Sequence, residues 1–338
     1  MFLLRAICLS CLLLITQQAL AKTNVAPSPL SYDALLSNYE YDFKVNYFNL
    51  ESQKQSLKMA YIYLKPTQAN MPAVVLMHGK NFNGDYWTST AQYLQSLGYG
   101  VLIPDQIGFG KSSKPSNYQY SFAALAHHTH ALMNSLNIKK SIVLGHSMGG
   151  MLASHFALMY PNATTKLILL NPIGLENYLQ YVDYKDTNFF YKNELAKTPQ
   201  GVKNYQQKNY YDGKWNTKFS ALTDFMVGQI QGPDSDKIAW VNAKTYDMIF
   251  TQPVITEFKD LAVPVKLIIG TRDRTGPGRN WKKDGVDYEL GRYDKLGKHA
   301  ATLIPNAQLF ELDNLGHLPH IEDFERFKNV LQKALITK

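Results

Sequence analysis

Cysteine is nearly absent from this 338-residue chain, and both examples, Cys8 and Cys11, stand close to its start. Past them there is no thiol, which excludes a cysteine nucleophile, thiolate metal ligands and disulfides. The folded part must be held together by its core alone. Runs of like charge are missing too. Charged residues make up 18% of the chain, and the lysines are scattered ("NIKK", "NWKKDG", "GRYDKLGKH"). A formal charge of +8 without a basic run reads as a soluble surface. Affinity for anionic lipid or cell wall is the weaker reading, and no nucleic-acid module is visible. No apolar run is long enough for a good membrane span.

The first residues, "MFLLRAICLSCLLLITQQALAK", combine an early Arg5, an apolar stretch over 6–15 and "ALA" at 19–21. That layout predicts a signal peptide over 1–21, cut after Ala21, and a periplasmic or secreted protein with no stable membrane insertion afterwards. An uncleaved anchor is the alternative. Cys11 is not a lipoprotein cysteine, because Cys8 occupies the place of the expected aliphatic residue. Loss of Arg5 with the leader takes the charge from +8 to +7.

What is present is apolar material, 45% of the chain, enough for a sizeable core. Short β-branched runs alternate with amphipathic stretches. "MAYIYLKP", "MPAVVLMHG", "VLIPD", "SIVLG", "TKLILLNP", "PVKLIIGTRD" and "AQLFELDN" read as strands. Residues 88–98, 121–138, 150–160 and 322–335 read as helices, the first closed by Gly98 and the third stopped by Pro161. Near-continuous apolar strands predict a mostly parallel sheet buried on both faces, an α/β class. The alternation pauses over 175–258, a stretch rich in Tyr, Asn, Gln and Lys. It is too long for a loop and reads as an inserted lid between core parts 22–174 and 259–338.

The chemistry-bearing residues sit at strand ends. Gly145-His146-Ser147-Met148-Gly149 fits G-x-S-x-G, with a strand before it and a helix after it. A strand turning abruptly into a helix thrusts the residue at the bend outward, and the flanking glycines remove colliding Cβ atoms. Gly150 would let the helix approach the sheet. The helix N-terminus favours negative charge at the hydroxyl. Serine needs a base, and the base an orienting acid. Asp273 follows "VKLIIGTR" and His317 follows "LFELDNLG", so Ser147, Asp273 and His317 stand in the chain order of a nucleophile-turn hydrolase. One strand earlier the corresponding end is Asn171, which cannot be a carboxylate. Asp284, Asp287 and Asp313 are fallbacks without a strand-end argument. The backbone N–H groups of Met148 and Lys80 are candidate oxyanion donors, the Lys80 side chain standing near the pocket mouth or pointing to solvent. His127, His128 and His130 read as a solvated helix face rather than a metal site. His299 and His320 read as surface or structural, and His146 as pointing away from the chemistry. "GFGKSS" fails as a P-loop, since Asp105 stands where glycine is required.

Taken together, "LMHGKNF", "IPDQIGFGKSSKP", "LGHSMGG", "GTRD" and "DNLGHLPHIE" resemble the α/β-hydrolase superfamily, in its order and over most of the chain. The resemblance implies an eight-stranded, mostly parallel sheet with a helical cap after the sixth strand. It also implies that the stretch from Asp105 to Ser112 shapes the nucleophile pocket. The chain departs from the pattern in the long segment between Asp273 and His317, which could border the pocket. The expectation is a cofactor-free, metal-free serine hydrolase acting on an ester or lactone, its small-molecule substrate having an apolar or aromatic part. C–C or amide hydrolysis and acyl transfer are alternatives with the same triad, and a non-catalytic binding scaffold is a third. Tyr205, Tyr210, Tyr211, Trp215, Phe225, Trp240 and Tyr246 could line the pocket or form the lid's own core.

Overall fold

Four strands are buried from end to end: β3 (Ala73–Met77), β4 (Gly100–Pro104), β5 (Ser141–His146) and β7 (Val265–Gly270). β6 (Thr164–Leu170) exposes only one residue. Side chains alternate between the faces of a strand, so such runs need apolar partners on both sides. They have them. Val75, Met77, Val143, Leu167, Leu169 and Leu267 join one core cluster, while Val74, Leu76, Ile142, Leu144, Ile168 and Ile268 join the other. On the first face lie α2 (Phe122–Ser135), α3 (Met148–Met159) and α9 (Tyr293–Leu303); on the second lie α1 (Thr88–Ser96) and α11 (Phe324–Ile336).

A computed structural model of the chain describes residues 29–337, so the expected leader and both cysteines lie outside the described residues. The sheet has eight strands in the order β1-β2-β4-β3-β5-β6-β7-β8, completed by β1 (Asn46–Ser52), β2 (Gln55–Leu64) and β8 (Ala307–Leu312). Only the β1/β2 and β2/β4 pairs are antiparallel. β1 is absent from the list of strands drawn from residue patterns. It is an edge strand whose residues alternate between half-buried and exposed, so it lacks the apolar run that marks the central strands.

Between β6 and β7 the chain builds α4 (Thr187–Leu195), α5 (Pro199–Asn209), α6 (Thr217–Ala221), α7 (Asp224–Ile230) and α8 (Ser235–Thr251). Periodicity here is weak, and the helix starts are written in side-chain caps. Asp186, Thr198 and Asn216 accept the N–H groups of Phe189, Gly201 and Phe219, and Pro199 opens α5. Phe190 of α4 stacks on Phe250 of α8 at 5.5 Å. The N-terminal arm straps this insertion to the body: the Tyr32 N–H donates to Gly228 O at 2.9 Å and the Ala34 N–H to Asp234 Oδ2 at 2.8 Å. Among the described residues no helix is long and apolar enough to cross a membrane.

Candidate active site

The turn from β5 into α3 leaves Ser147 at φ 57°, ψ −122°, a region that L-residues seldom occupy. The space around it exists only because two neighbours lack Cβ. A Cβ on Gly145 would lie 2.1 Å from Gly149 O, and one on Gly149 would lie 2.2 Å from Met77 O. Met148 is the first residue of α3, so its N–H has no intrahelical acceptor and points where a helix N-terminus favours negative charge.

The ends of β5, β7 and β8 bring three side chains together. Ser147 Oγ lies 3.0 Å from His317 Nε2, and His317 Nδ1 lies 2.7 Å from Asp273 Oδ2. His317 and Asp273 are fully buried and Ser147 is 7% exposed. Asp273 also accepts the Thr275 N–H on Oδ1 at 2.8 Å and Asn171 Nδ2 on Oδ2 at 2.9 Å. Burial pushes its carboxyl up, but His317 and these donors outweigh burial and hold it below the usual carboxylate value. The Asp273 carboxylate faces His317 Nδ1 as an acceptor. Nε2, the other ring nitrogen, faces Ser147 Oγ. The fallback carboxylates Asp284, Asp287 and Asp313 are all exposed and take no part.

Asn171, considered from its residue type only as a failed acid, is a neighbour of Asp273 that the sequence did not point to. It stands at φ 37° after β6 and accepts the Gly270 N–H on Oδ1 at 2.8 Å while donating to Asp273. The amide thus clamps β7's end and aims the acid. His146 is a second residue whose contacts the sequence did not point to. Its ring donates from Nε2 to His317 O at 2.8 Å and meets the Tyr86 hydroxyl on Nδ1 at 3.0 Å. Tyr86 in turn accepts the Gly79 N–H at 3.2 Å. Burial first, then His317 and His320, keep His146 well below its ordinary value and hence neutral, which suits one donated and one accepted bond. The β3 loop and the His317 loop are tied together through this pair.

His128 is buried against the Tyr118 hydroxyl at 2.8 Å, so of the three histidines on that helix His127 and His130 sit toward solvent. His320 is buried in contact with Trp87, their rings 4.7 Å apart, and His299 is exposed. The Lys80 side chain does not point to solvent: it is 11% exposed, turned under α4 and α8. Asp105 explains its place in the failed P-loop. Its carboxylate accepts the N–H groups of Gly84 and Lys111 and the Tyr41 hydroxyl, bracing the loops behind the nucleophile.

The inserted helices lie on the site. Tyr210, at the end of α5, stacks on the His317 ring at 4.7 Å and accepts Asn81 Nδ2 on its hydroxyl at 3.1 Å. Other aromatics of the insertion pack elsewhere: Tyr211 on Phe219 at 3.7 Å, Phe225 near Tyr39 and Trp240 near Tyr191. The segment after Asp273 docks beside the insertion's first residues, with Tyr288 stacked on Tyr181 at 3.9 Å and the Gly291 N–H donating to buried Glu176.

A model of the alpha/beta hydrolase fold matches residues 72–324. The chain belongs to the α/β-hydrolase family. A solved structure of a probable hydrolytic enzyme from Pseudomonas aeruginosa PAO1 is 42% identical, covers 91% of this chain and 99% of its own, and superposes with a TM-score of 0.89. Lipase 1 of Psychrobacter immobilis is 23% identical over 91% of this chain and 92% of its own length. Lipase 3 of Moraxella sp. is likewise 23% identical, over 91% and 93%. This α/β-hydrolase is an enzyme that acts by hydrolysis on a small molecule.

Proposed function

We propose that the protein is a serine hydrolase cleaving a carboxylic ester or lactone. The observation that carries the reading is the 3.0 Å contact between Ser147 Oγ and His317 Nε2 at a strained turn. The two lipases similar over nearly the whole chain support the ester. In this scheme Ser147 Oγ attacks the acyl carbon as its proton passes to His317 Nε2. The oxyanion is held by the N–H groups of Met148 and Lys80. Collapse expels the alcohol, which takes the proton from the imidazolium and leaves an acyl-serine. Water then attacks the acyl carbon as its proton passes to His317, the acyl–Oγ bond breaks, the imidazolium returns the proton to Ser147 Oγ, and the carboxylic acid leaves. Asp273 stays ionised throughout and stabilises the imidazolium.

The test is a p-nitrophenyl ester series from acetate to decanoate, run on the protein and on Ser147→Ala. Turnover should fall at least roughly a thousandfold in the variant with unchanged thermal unfolding. Retained turnover removes the mechanism. Failure of any ester to react, together with failure of a fluorophosphonate to label Ser147, removes the serine-esterase reading. The leader at 1–21 makes export part of the same proposal, checked by whether the secreted or periplasmic protein begins at Lys22.

A further inference from the structure

Lys80 stands three residues after β3, in the loop whose Gly79 approaches Ser147: a Cβ on that glycine would lie 3.1 Å from Ser147 Cβ. Its side chain runs under the inserted helices and is 11% exposed. A buried ammonium needs acceptors, and this one is poorly supplied. Its nearest carboxylate oxygen, Glu194 Oε1, is 4.0 Å away, and the face of Tyr246 lies 5.3 Å from Nζ. Glu194 is already committed elsewhere. Its other oxygen binds Lys197 at 2.6 Å and Asn242 Nδ2 at 3.4 Å. Two ammonium groups therefore share one carboxylate, and one of them is carried by the residue after Gly79, whose backbone approaches Ser147. Burial is the main reason that Lys80 falls to about 8, with Lys197 acting the same way and Glu194 opposing both. Tyr246 lies within electrostatic range of Tyr205, and Tyr205 packs on Tyr210, the ring that covers His317. The cation thus lies against the same insertion whose Tyr210 covers His317.

We propose that the Lys80 ammonium recognises an anionic substituent on the substrate, a carboxylate carried on the acyl or the alcohol side of the ester, so that the enzyme prefers the charged ester to its neutral counterpart. This rests on the serine-esterase reading. A substrate carboxylate would give Nζ the close acceptor that Glu194 does not.

The experiment compares two matched pairs at pH 7. One pair, p-nitrophenyl butyrate and mono-p-nitrophenyl succinate, carries the charge on the acyl side. The other, phenyl butyrate and 4-butyryloxybenzoate, carries it on the alcohol side. At least one anionic member should be preferred by about tenfold in kcat/KM, the scale of one charge-assisted hydrogen bond. The readout is the anionic-to-neutral ratio, because substitution at Lys80 also touches the oxyanion loop. Lys80→Met should bring the ratio to about one or below, and Lys80→Arg should keep most of it. In the unmodified protein the ratio should decline as pH rises through about 8, the range in which Lys80 loses its charge. The charged or titratable groups around Lys80 include Glu194 of α4, Lys197 just past its end and Tyr246 of α8, which Tyr205 of α5 influences in turn. A ratio of one or less in the unmodified protein, with esters turned over and Ser147 labelled, overturns the inference and leaves the hydrolase standing. So does a Lys80→Met variant that slows both members of a pair equally, which marks Lys80 as a tie between loop and insertion. No turnover of any ester overturns the esterase reading and this inference with it.

Discussion

The sheet end of the site and the inserted helices that cover it are built in opposite ways. At the sheet end, position is dictated by backbone: strands buried on both faces, a turn at φ 57° and close approaches that only glycine permits. In the insertion, position is dictated by side chains: capping hydroxyls and carboxylates, the Phe190–Phe250 stack, the Glu194–Lys197 pair and the Tyr210 ring on His317. The first kind of construction tolerates almost no change at the residues that shape it. The second can be rewritten residue by residue, which is how one scaffold serves many substrates.

The largest expected effect tests the acid. Asp273→Asn keeps the shape but no longer fixes the Nδ1 proton of His317, so kcat should drop by roughly a thousandfold to ten-thousandfold with little change in unfolding temperature. If Asp273→Asn stays active, another carboxylate orients the base, and the exposed Asp284, Asp287 and Asp313 become the residues to test. Next comes Gly149→Ala. Its methyl would stand 2.2 Å from Met77 O, a backbone atom that cannot step aside. A loss of at least about 3 kcal/mol is expected, read as poor soluble yield or a sharply lowered urea midpoint. Tolerance of alanine there would mean that α3 can slide, and the contrast with the insertion would weaken.

The same contrast explains what could be read from the sequence. Strand ends and the nucleophile turn depend on local signals, apolar runs and glycine spacing, so Ser147, Asp273 and His317 could be named and the parallel sheet foreseen. Edge strand β1 has no such run and was visible only through its pairing with β2. Asn171 carries no motif of its own. Its role appears when Gly270 and Asp273 arrive from a strand about a hundred residues later. The Lys80 side chain and Tyr210 were undecidable for the same reason, because each depends on how the insertion lies on the core. Solvent and core both attract an amphipathic residue until the packing partner is known.

Tyr210→Ala addresses the insertion directly. It removes a buried ring from His317 and the acceptor of Asn81. A destabilisation of about 2–3 kcal/mol is expected, with kcat/KM for p-nitrophenyl esters reduced about tenfold. Unlike Gly149→Ala, the variant should still fold and still be labelled by a fluorophosphonate at Ser147. If stability falls as far as in Gly149→Ala, the insertion and the core form one cooperative unit, and the distinction drawn between them fails.

The smallest effect concerns the segment after Asp273, which is pinned to the insertion's first residues by Glu176. Burial is the chief reason its carboxyl is raised from 4.5 to about 7, against the opposing pull of the Gly291 N–H. A carboxyl raised in the folded state binds its proton more tightly there than in the unfolded chain. Its contribution to stability is therefore full below pH 4.5 and is lost as pH rises toward 7. Glu176→Gln keeps an acceptor for Gly291 and cannot ionise. Urea unfolding of the two proteins should give nearly equal stabilities at pH 4.5 and a gap in favour of glutamine that grows to on the order of 1–2 kcal/mol by pH 8. A gap of constant size across that range would mean that Glu176 is solvated in solution and that the segment after Asp273 is not closed over it. The loop would then join the insertion on the adaptable side of the comparison.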